Sequence, residues 1–228
     1  MAADSRIRSR LVDVVVLVPF RGDGAWRDRA FEATISHLEG LGWPIFVGDS
    51  GDDPFSFGRT FNLLADRPWD VAVLHDADAI VPLKKIRKAV ALADEGIVYP
   101  WNRLVGLDRA GTEHFYRTGE PGTVRRKRPP GRLPKGGPRV VSRRLWDTVR
   151  GFDPRFKGWG REDNAFAYVA ARLSGPPRRL DGTLVELWHP KPEDAPDDPY
   201  FLRTAENKRV YRDIKRNAHR LAEYVRDR

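Results

Sequence analysis

Val71-Ala72-Val73-Leu74-His75-Asp76-Ala77-Asp78-Ala79-Ile80-Val81-Pro82 decides how the rest of the chain is read. Its first residues form an unbroken apolar run rich in valine, the pattern of a strand buried on both faces. The run gives way to two carboxylates separated by one alanine. Ligands of open α/β sheets bind beyond the carboxyl ends of strands, so Asp76 and Asp78 are expected at the rim of a sheet. Carboxylates this close repel each other unless a cation lies beside them. A hard divalent ion, Mn²⁺ or Mg²⁺, holding a substrate diphosphate meets that need. An acidic turn after a strand is the plainer reading of Asp-x-Asp by itself, so the weight rests on the surrounding chain.

Outward from this stretch, strands and helices alternate. Asp13 to Pro19 reads as a buried strand and Trp26 to Leu38 as a helix stopped by Gly40 and Gly42. Pro44 to Val47 reads as a second strand, running into the acidic turn Gly48–Asp53. Ser56 caps a helix through Asp66. Beyond the central stretch come a helix from Leu83 to Asp94 and a short strand from Ile97 to Tyr99. The alternation predicts an α/β fold with a mainly parallel, Rossmann-like sheet flanked by helices. From 100 to 138 the patterning is lost, and a long flexible loop is expected. Helices are predicted over Arg143–Arg150 and Glu162–Leu173, and a strand over Leu184–Trp188. A C-terminal helix is predicted from about Tyr200 to Val225, with Val210, Ile214, Ala218, Leu221 and Val225 as its apolar stripe.

The length of 228 residues suits one full-sized core. The absence of cysteine excludes disulfides and thiolate metal sites. No apolar run approaches a membrane span, and the charged N-terminus does not fit a signal peptide. The expectation is a soluble, cytoplasmic protein with no membrane association. The net charge is +9. Between Thr123 and Val141 stand Arg125, Arg126, Lys127, Arg128, Arg132, Lys135 and Arg139, with no acidic residue. Such a block attracts polyanions, although a solvated loop accounts for it equally well.

Two further strand or helix ends carry chemistry. His189 follows the Leu184–Trp188 run, and an imidazole beside a carboxylate suits Mn²⁺. Asp78 and His189 would each give one bond, leaving positions for two phosphate oxygens and water. Glu162 and Asp163 open a helix, where the dipole alone favours acids. Adjacent helical side chains point about 100° apart, so the two are expected to take different roles. Gly158-Trp159-Gly160 precedes them, offering close backbone approach and an aromatic face for a sugar ring. Arg21 and Asp49, at the ends of the first two strands, are placed to meet a phosphate and a base or ribose. A loop salt bridge remains open for each.

Val18-Pro19-Phe20-Arg21, Phe57-Gly58-Arg59, His75-Asp76-Ala77-Asp78, and Gly151-Phe152 followed by Gly158-Trp159-Gly160-Arg161-Glu162-Asp163 occur in that order. The set resembles metal-dependent nucleotide-sugar glycosyltransferases of the GT-A fold, and among them the β-1,4-galactosyltransferase group with its galactosyltransferase-like C-terminal segment. The resemblance implies Mn²⁺ (or Mg²⁺) bound by Asp78 and His189, with Asp76 supporting metal or nucleotide. It implies a UDP-linked sugar donor lined by Pro19, Phe20, Arg21, Asp49, Arg59, Asp76, Ala77, Trp159 and Gly160. It makes Asp163 the base that deprotonates an acceptor hydroxyl, with Glu162 positioning sugar or acceptor, and it suggests inversion at the anomeric carbon. Two departures stand out. Asn164 and Ala165 follow Glu-Asp where the family has further acids, and Lys157 replaces a tryptophan before Gly-Trp-Gly.

One domain is therefore expected over residues 1–228. It comprises a nucleotide-binding half at 1–99, a basic loop at 100–138, an acceptor and catalytic half at 139–190, and a C-terminal helix at 199–228. The acceptor is expected to be a glycan, a small molecule, or a polyanion such as DNA with hydroxymethylated bases, met through Arg125–Arg139. The alternatives are a sugar nucleotidyltransferase, for which Phe20–Gly24 is a poor triphosphate loop, and a non-catalytic nucleic-acid-binding protein.

Overall fold

The computed structural model describes residues 12–94, 96–190, 197 and 199–228. The expected alternation is present. The first elements are β1 (Val14–Pro19), α1 (Trp26–Glu39), β2 (Ile45–Gly48), α2 (Phe57–Leu64) and β3 (Val71–Leu74). After them come β4 (Ala79–Ile80), α3 (Leu83–Val90) and β5 (Val98–Tyr99). Ser56 caps α2 by accepting from the Arg59 amide, as its residue type predicts. The valine-rich runs of β1 and β3 are almost wholly buried, because a parallel sheet is covered on both faces.

Residues 100–138 are not a loop. They hold β6 (Arg103–Leu107), α4 (Arg109–Thr118) and β7 (Val124–Arg128). Several of the glycines that suggested a breaker, Gly106, Gly111 and Gly122 among them, are packing contacts instead. A β-carbon at Gly111 would lie 2.0 Å from the Thr123 carbonyl oxygen, so α4 can approach the start of β7 only with glycine there.

The remaining elements are β8 (Arg139–Ser142), α5 (Arg143–Val149), α6 (Glu162–Leu173), β9 (Arg178–Arg179) and β10 (Thr183–Glu186). Two sheets result, one of six strands in the order β2-β1-β3-β8-β5-β9 and one of four in the order β4-β10-β6-β7. In the larger sheet only β8 runs against its neighbours, so the sheet is mainly parallel. The Asp76–Asp78 segment lies between β3 of one sheet and β4 of the other, at the junction of the two.

The single C-terminal helix predicted from Tyr200 is instead α7 (Pro199–Leu202), α8 (Thr204–Arg216), a 3₁₀ turn at Ala218–Arg220, and α9 (Leu221–Arg226). The break falls at Asn217, whose side-chain amide donates to the Asp213 carbonyl and competes with the helical ladder. Ile214, Leu221 and Val225 of the expected stripe are buried in the main core, while Val210 and Ala218 are half-buried. No helix among the described residues is long and apolar enough to cross a membrane. Residues 1–10 and most of the acidic link at 193–199 lie outside the described residues.

Candidate active site

The strand ends form two clefts with a common floor. The first, about 230 Å³, is lined by Pro19, Phe20 and Arg21 after β1, by Arg27, Phe55 and Phe57, and by Asp76, Ala77, Asp78, Trp159, Glu162, Asp163, Glu186 and His189. The second, about 570 Å³, shares Asp76, Asp78, Trp159, Glu162, Asp163 and Glu186, and opens between β7, α6 and α8. Most of the residues singled out in the sequence, over a hundred positions apart along the chain, therefore meet in one place.

Asp78 and His189 come together as expected. His189 Nε2 lies 3.1 Å from Asp78 Oδ2. The ring is oriented by its other nitrogen, which lies 2.7 Å from the Pro190 carbonyl oxygen. A carbonyl only accepts, so Nδ1 carries a proton, and Nε2 is the nitrogen turned to the carboxylate. An imidazole nitrogen and a carboxylate oxygen this close are a pair that a hard cation could share. The backbone sets this approach. The Leu187 amide donates to the Asp78 carbonyl at 2.8 Å, and the Trp188 amide donates to buried Thr112 on α4, also at 2.8 Å. Among the described residues no three acidic or imidazole side chains already surround one point. From the described residues a cation here would take Asp78 and His189, with room for substrate and water oxygens, the usual habit of Mg²⁺ and Mn²⁺ at phosphates.

The second acidic pair divides its labour sharply. Asp163 Oδ1 accepts from Arg139 Nη2 at 2.6 Å, and that arginine is 1% exposed. Arg139 is not part of a solvated basic loop. It opens β8, is flanked by the rings of Phe152, Phe166 and Phe61, and donates to the Gly137 carbonyl. A β-carbon at Gly136 would lie 2.3 Å from Asp163 Oδ2, so glycine keeps that side of the carboxylate clear. Glu162 is buried, and its Oε2 has no hydrogen-bond partner. Burial, and then the charge of Asp163, push its pKa up to about 8. Asp76 is likewise raised to about 8, by enclosure first and then by Asp163 and Asp78. Burial thus makes Glu162 the harder to ionise, while Asp163 has the Arg139 guanidinium beside it. His75, wholly buried with its pKa lowered to about 4 by burial, stays neutral and bonds the Asp76 carbonyl oxygen.

Arg21 and Asp49 meet each other. Arg21 Nε and Nη2 lie 2.6 and 2.9 Å from the two Asp49 oxygens. That bond, more than any other influence, holds the Asp49 carboxyl below its usual range. Arg59 pairs with Asp52 at 2.5 Å. Arg21 lines the first cleft, whereas Asp49 and Arg59 stand behind its wall. Trp159 reaches both clefts and Gly160 the second. Their loop is clamped by α8. Buried Asn207 donates to the carbonyls of Lys157 and Trp159 at 2.8 and 3.2 Å, and Phe201 stacks on Trp159 with centroids 5.6 Å apart.

Sequence reading missed Arg139, Glu186, Arg126, Arg27 and Asn207. Glu186 carried a legible signal, a lone acid inside the apolar run Leu184-Val185-Glu186-Leu187. In the fold it is paired with Arg126 across the smaller sheet. Of the seven cations at 125–139, Arg126 and Arg139 are thus turned inward to acids.

No family model matches this chain, and no curated protein matches it. Solved structures do. The catalytic domain of Drosophila beta1,4galactosyltransferase 7, in complex with xylobiose, is 18% identical over 79% of this chain and 72% of that one, with a TM-score of 0.52. A mutant of the same enzyme, in complex with manganese, UDP-Gal and xylobiose, is 19% identical over 80% of this chain and 73% of that one, with a TM-score of 0.53. The chain has the GT-A fold and resembles the galactosyltransferases in it.

Proposed function

We propose that this protein is a metal-dependent glycosyltransferase that moves a hexose from a nucleoside diphosphate sugar, UDP-linked, to an acceptor hydroxyl with inversion. The observation that carries the reading is the convergence of Asp78 and His189 at the mouth of a cleft whose floor also holds Asp163. The donor would lie in the first cleft, its diphosphate toward Asp78 and His189 and its nucleoside toward Pro19, Phe20 and Arg21. Mn²⁺ held by Asp78 and His189 would offset the charge that builds on the departing diphosphate.

Asp163 would take the proton of the acceptor hydroxyl. That oxygen bonds to the anomeric carbon as the bond to the diphosphate breaks, and the leaving group keeps the electron pair. Attack from the side opposite the diphosphate inverts the centre. Arg139 holds the carboxylate in place before and after it is protonated. Protonated Glu162 donates a hydrogen bond to the sugar or acceptor. The acceptor would be a glycan hydroxyl. Arg125, Lys127 and Arg128, exposed on β7, favour a second reading in which the acceptor is a polyanion such as modified DNA.

The test is a screen of nucleotide sugars for hydrolysis with and without Mn²⁺. The expected result is Mn²⁺-dependent cleavage of one or a few UDP-sugars that Asp78→Ala abolishes. Cleavage indifferent to metal, or to Asp78, contradicts the reading.

A further inference from the structure

The second cleft carries positive charge at its rim that the proposed reaction does not use. Its floor is acidic, formed by Asp76, Asp78, Glu162 and Asp163, while its rim carries Lys135, Arg161 and Lys208 from three separate segments. No ion pair engages these three cations among the described residues. Arg161 is held at φ 78°, in the left-handed region that a β-carbon disfavours, at the point where α6 begins. Backbone held this way at a cleft edge points to use of the side chain. Between rim and floor, Trp159, 36% exposed, lies against Phe201 as a flat apolar platform. Glu162, a side chain nine-tenths buried whose Oε2 has no hydrogen-bond partner, is among the residues that line the same cleft.

We infer that this cleft binds an acidic saccharide as the acceptor: a sugar ring stacked on Trp159, its hydroxyls toward the carboxyls of the floor and its carboxylate or other anionic group on Arg161 and Lys208. The inference rests on the glycosyltransferase reading for the word acceptor, but not for the binding. Hydroxyls donate to carboxylates, and sugar rings present apolar faces to aromatics. The rim supplies the cations that an anionic group needs. A volume of about 570 Å³ is that of a small-ligand pocket. A nucleic acid fits less well. Its phosphates would run close to the acidic floor, and a duplex would have to extrude a base to reach Asp163.

The experiment compares methyl β-D-glucuronide with methyl β-D-glucoside, which differ in one carboxylate. Each is titrated by ligand-observed NMR against the full chain, with and without Mn²⁺ and UDP. The glucuronide is expected to bind about tenfold more tightly, as one added charge-assisted contact allows. The preference should vanish in the Arg161→Gly/Lys208→Ala double variant. Arg161→Gly suits the left-handed backbone, so this variant is expected to fold, and UDP binding in the first cleft should be unchanged. Equal affinity for the two glycosides, binding of neither, or a preference that survives the double variant overturns the inference. So does a single-stranded oligothymidine that binds through Arg161 and Lys208 where the glucuronide does not. If the glucuronide preference holds while wild-type protein fails to bind UDP, the acidic-saccharide site stands and the donor reading falls.

Discussion

The two clefts share an acidic floor but differ in how many cations unpaired among the described residues edge them: Arg27 in the first, and Lys135, Arg161 and Lys208 in the second. In the first, Arg21 is tied at two points to Asp49, so its charge is already balanced. In the second, Lys135, Arg161 and Lys208 stand at the rim with no acid against them among the described residues. The floor between them carries its own countercharge, the buried Arg139 on Asp163. A cleft whose strand-end arginine is already held by an acid leaves its other acids for a ligand that arrives with a cation. A cleft edged by unbalanced cations suits one that arrives with negative charge. Under the proposed function, the first would take a metal-bound diphosphate and the second an anionic acceptor.

The largest effect should come from the floor, which serves both sides. Asp163→Asn keeps the shape of the side chain but cannot take a proton at neutral pH. Transfer at saturating substrates is expected to fall by about 10²–10⁴, with UDP binding retained. Near-normal turnover would remove Asp163 as the base and reopen the stereochemical outcome.

Arg139→Ala tests whether the countercharge belongs to the floor. Breaking a buried pair leaves Asp163 beside Asp76 and Glu162 without compensation, at a cost of about 3–5 kcal/mol. Urea unfolding measures it, and a loss below about 1 kcal/mol would mean that the pair behaves like a surface one.

A smaller effect follows from Glu162. Its ordinary pKa of 4.5 rises to about 8 in the fold. The native state therefore keeps a proton that the unfolded chain loses, and stability falls as pH climbs between those values. Without metal, Glu162→Gln should lessen this slope, leaving the share due to Asp76, and gain on the order of 1–3 kcal/mol at pH 8. Parallel stability profiles for the two proteins would show that Glu162 ionises normally. Smallest of all, Arg161→Gly should stabilise the fold by about 1 kcal/mol through relief of the left-handed backbone. A thermal-unfolding loss instead would mean that the side chain packs for stability.

Much of the larger sheet was legible because its strands are buried on both faces and announce themselves as apolar runs ending in polar residues. Asp76 and Asp78 were placed at the end of β3 for that reason, whereas His189 was placed by the apolar run at 184–188 around β10 in the smaller sheet. The 100–138 region hid its elements because its glycines serve close packing between α4 and β7, and a glycine needed for approach looks the same in sequence as one needed for a turn. Arg139 was hidden for a different cause. A charge standing among other charges reads as solvated, and only the fold shows that Phe61, Phe152 and Phe166 enclose it opposite Asp163. Arg21 and Asp49 were each placed at the correct strand end, but their bond to one another depends on the pairing of β1 with β2, which no local pattern encodes.

The central claim is that Asp78 and His189 form a cation site completed by a diphosphate. Calorimetric titration of UDP into wild-type protein and His189→Ala, each with Mn²⁺ or with a chelator, tests it most directly. The account predicts that wild-type protein binds UDP with Mn²⁺ and at least about tenfold more weakly with chelator, and that His189→Ala loses this dependence while remaining folded. Equal UDP affinity in the presence of chelator, or a full metal effect in His189→Ala, would contradict it.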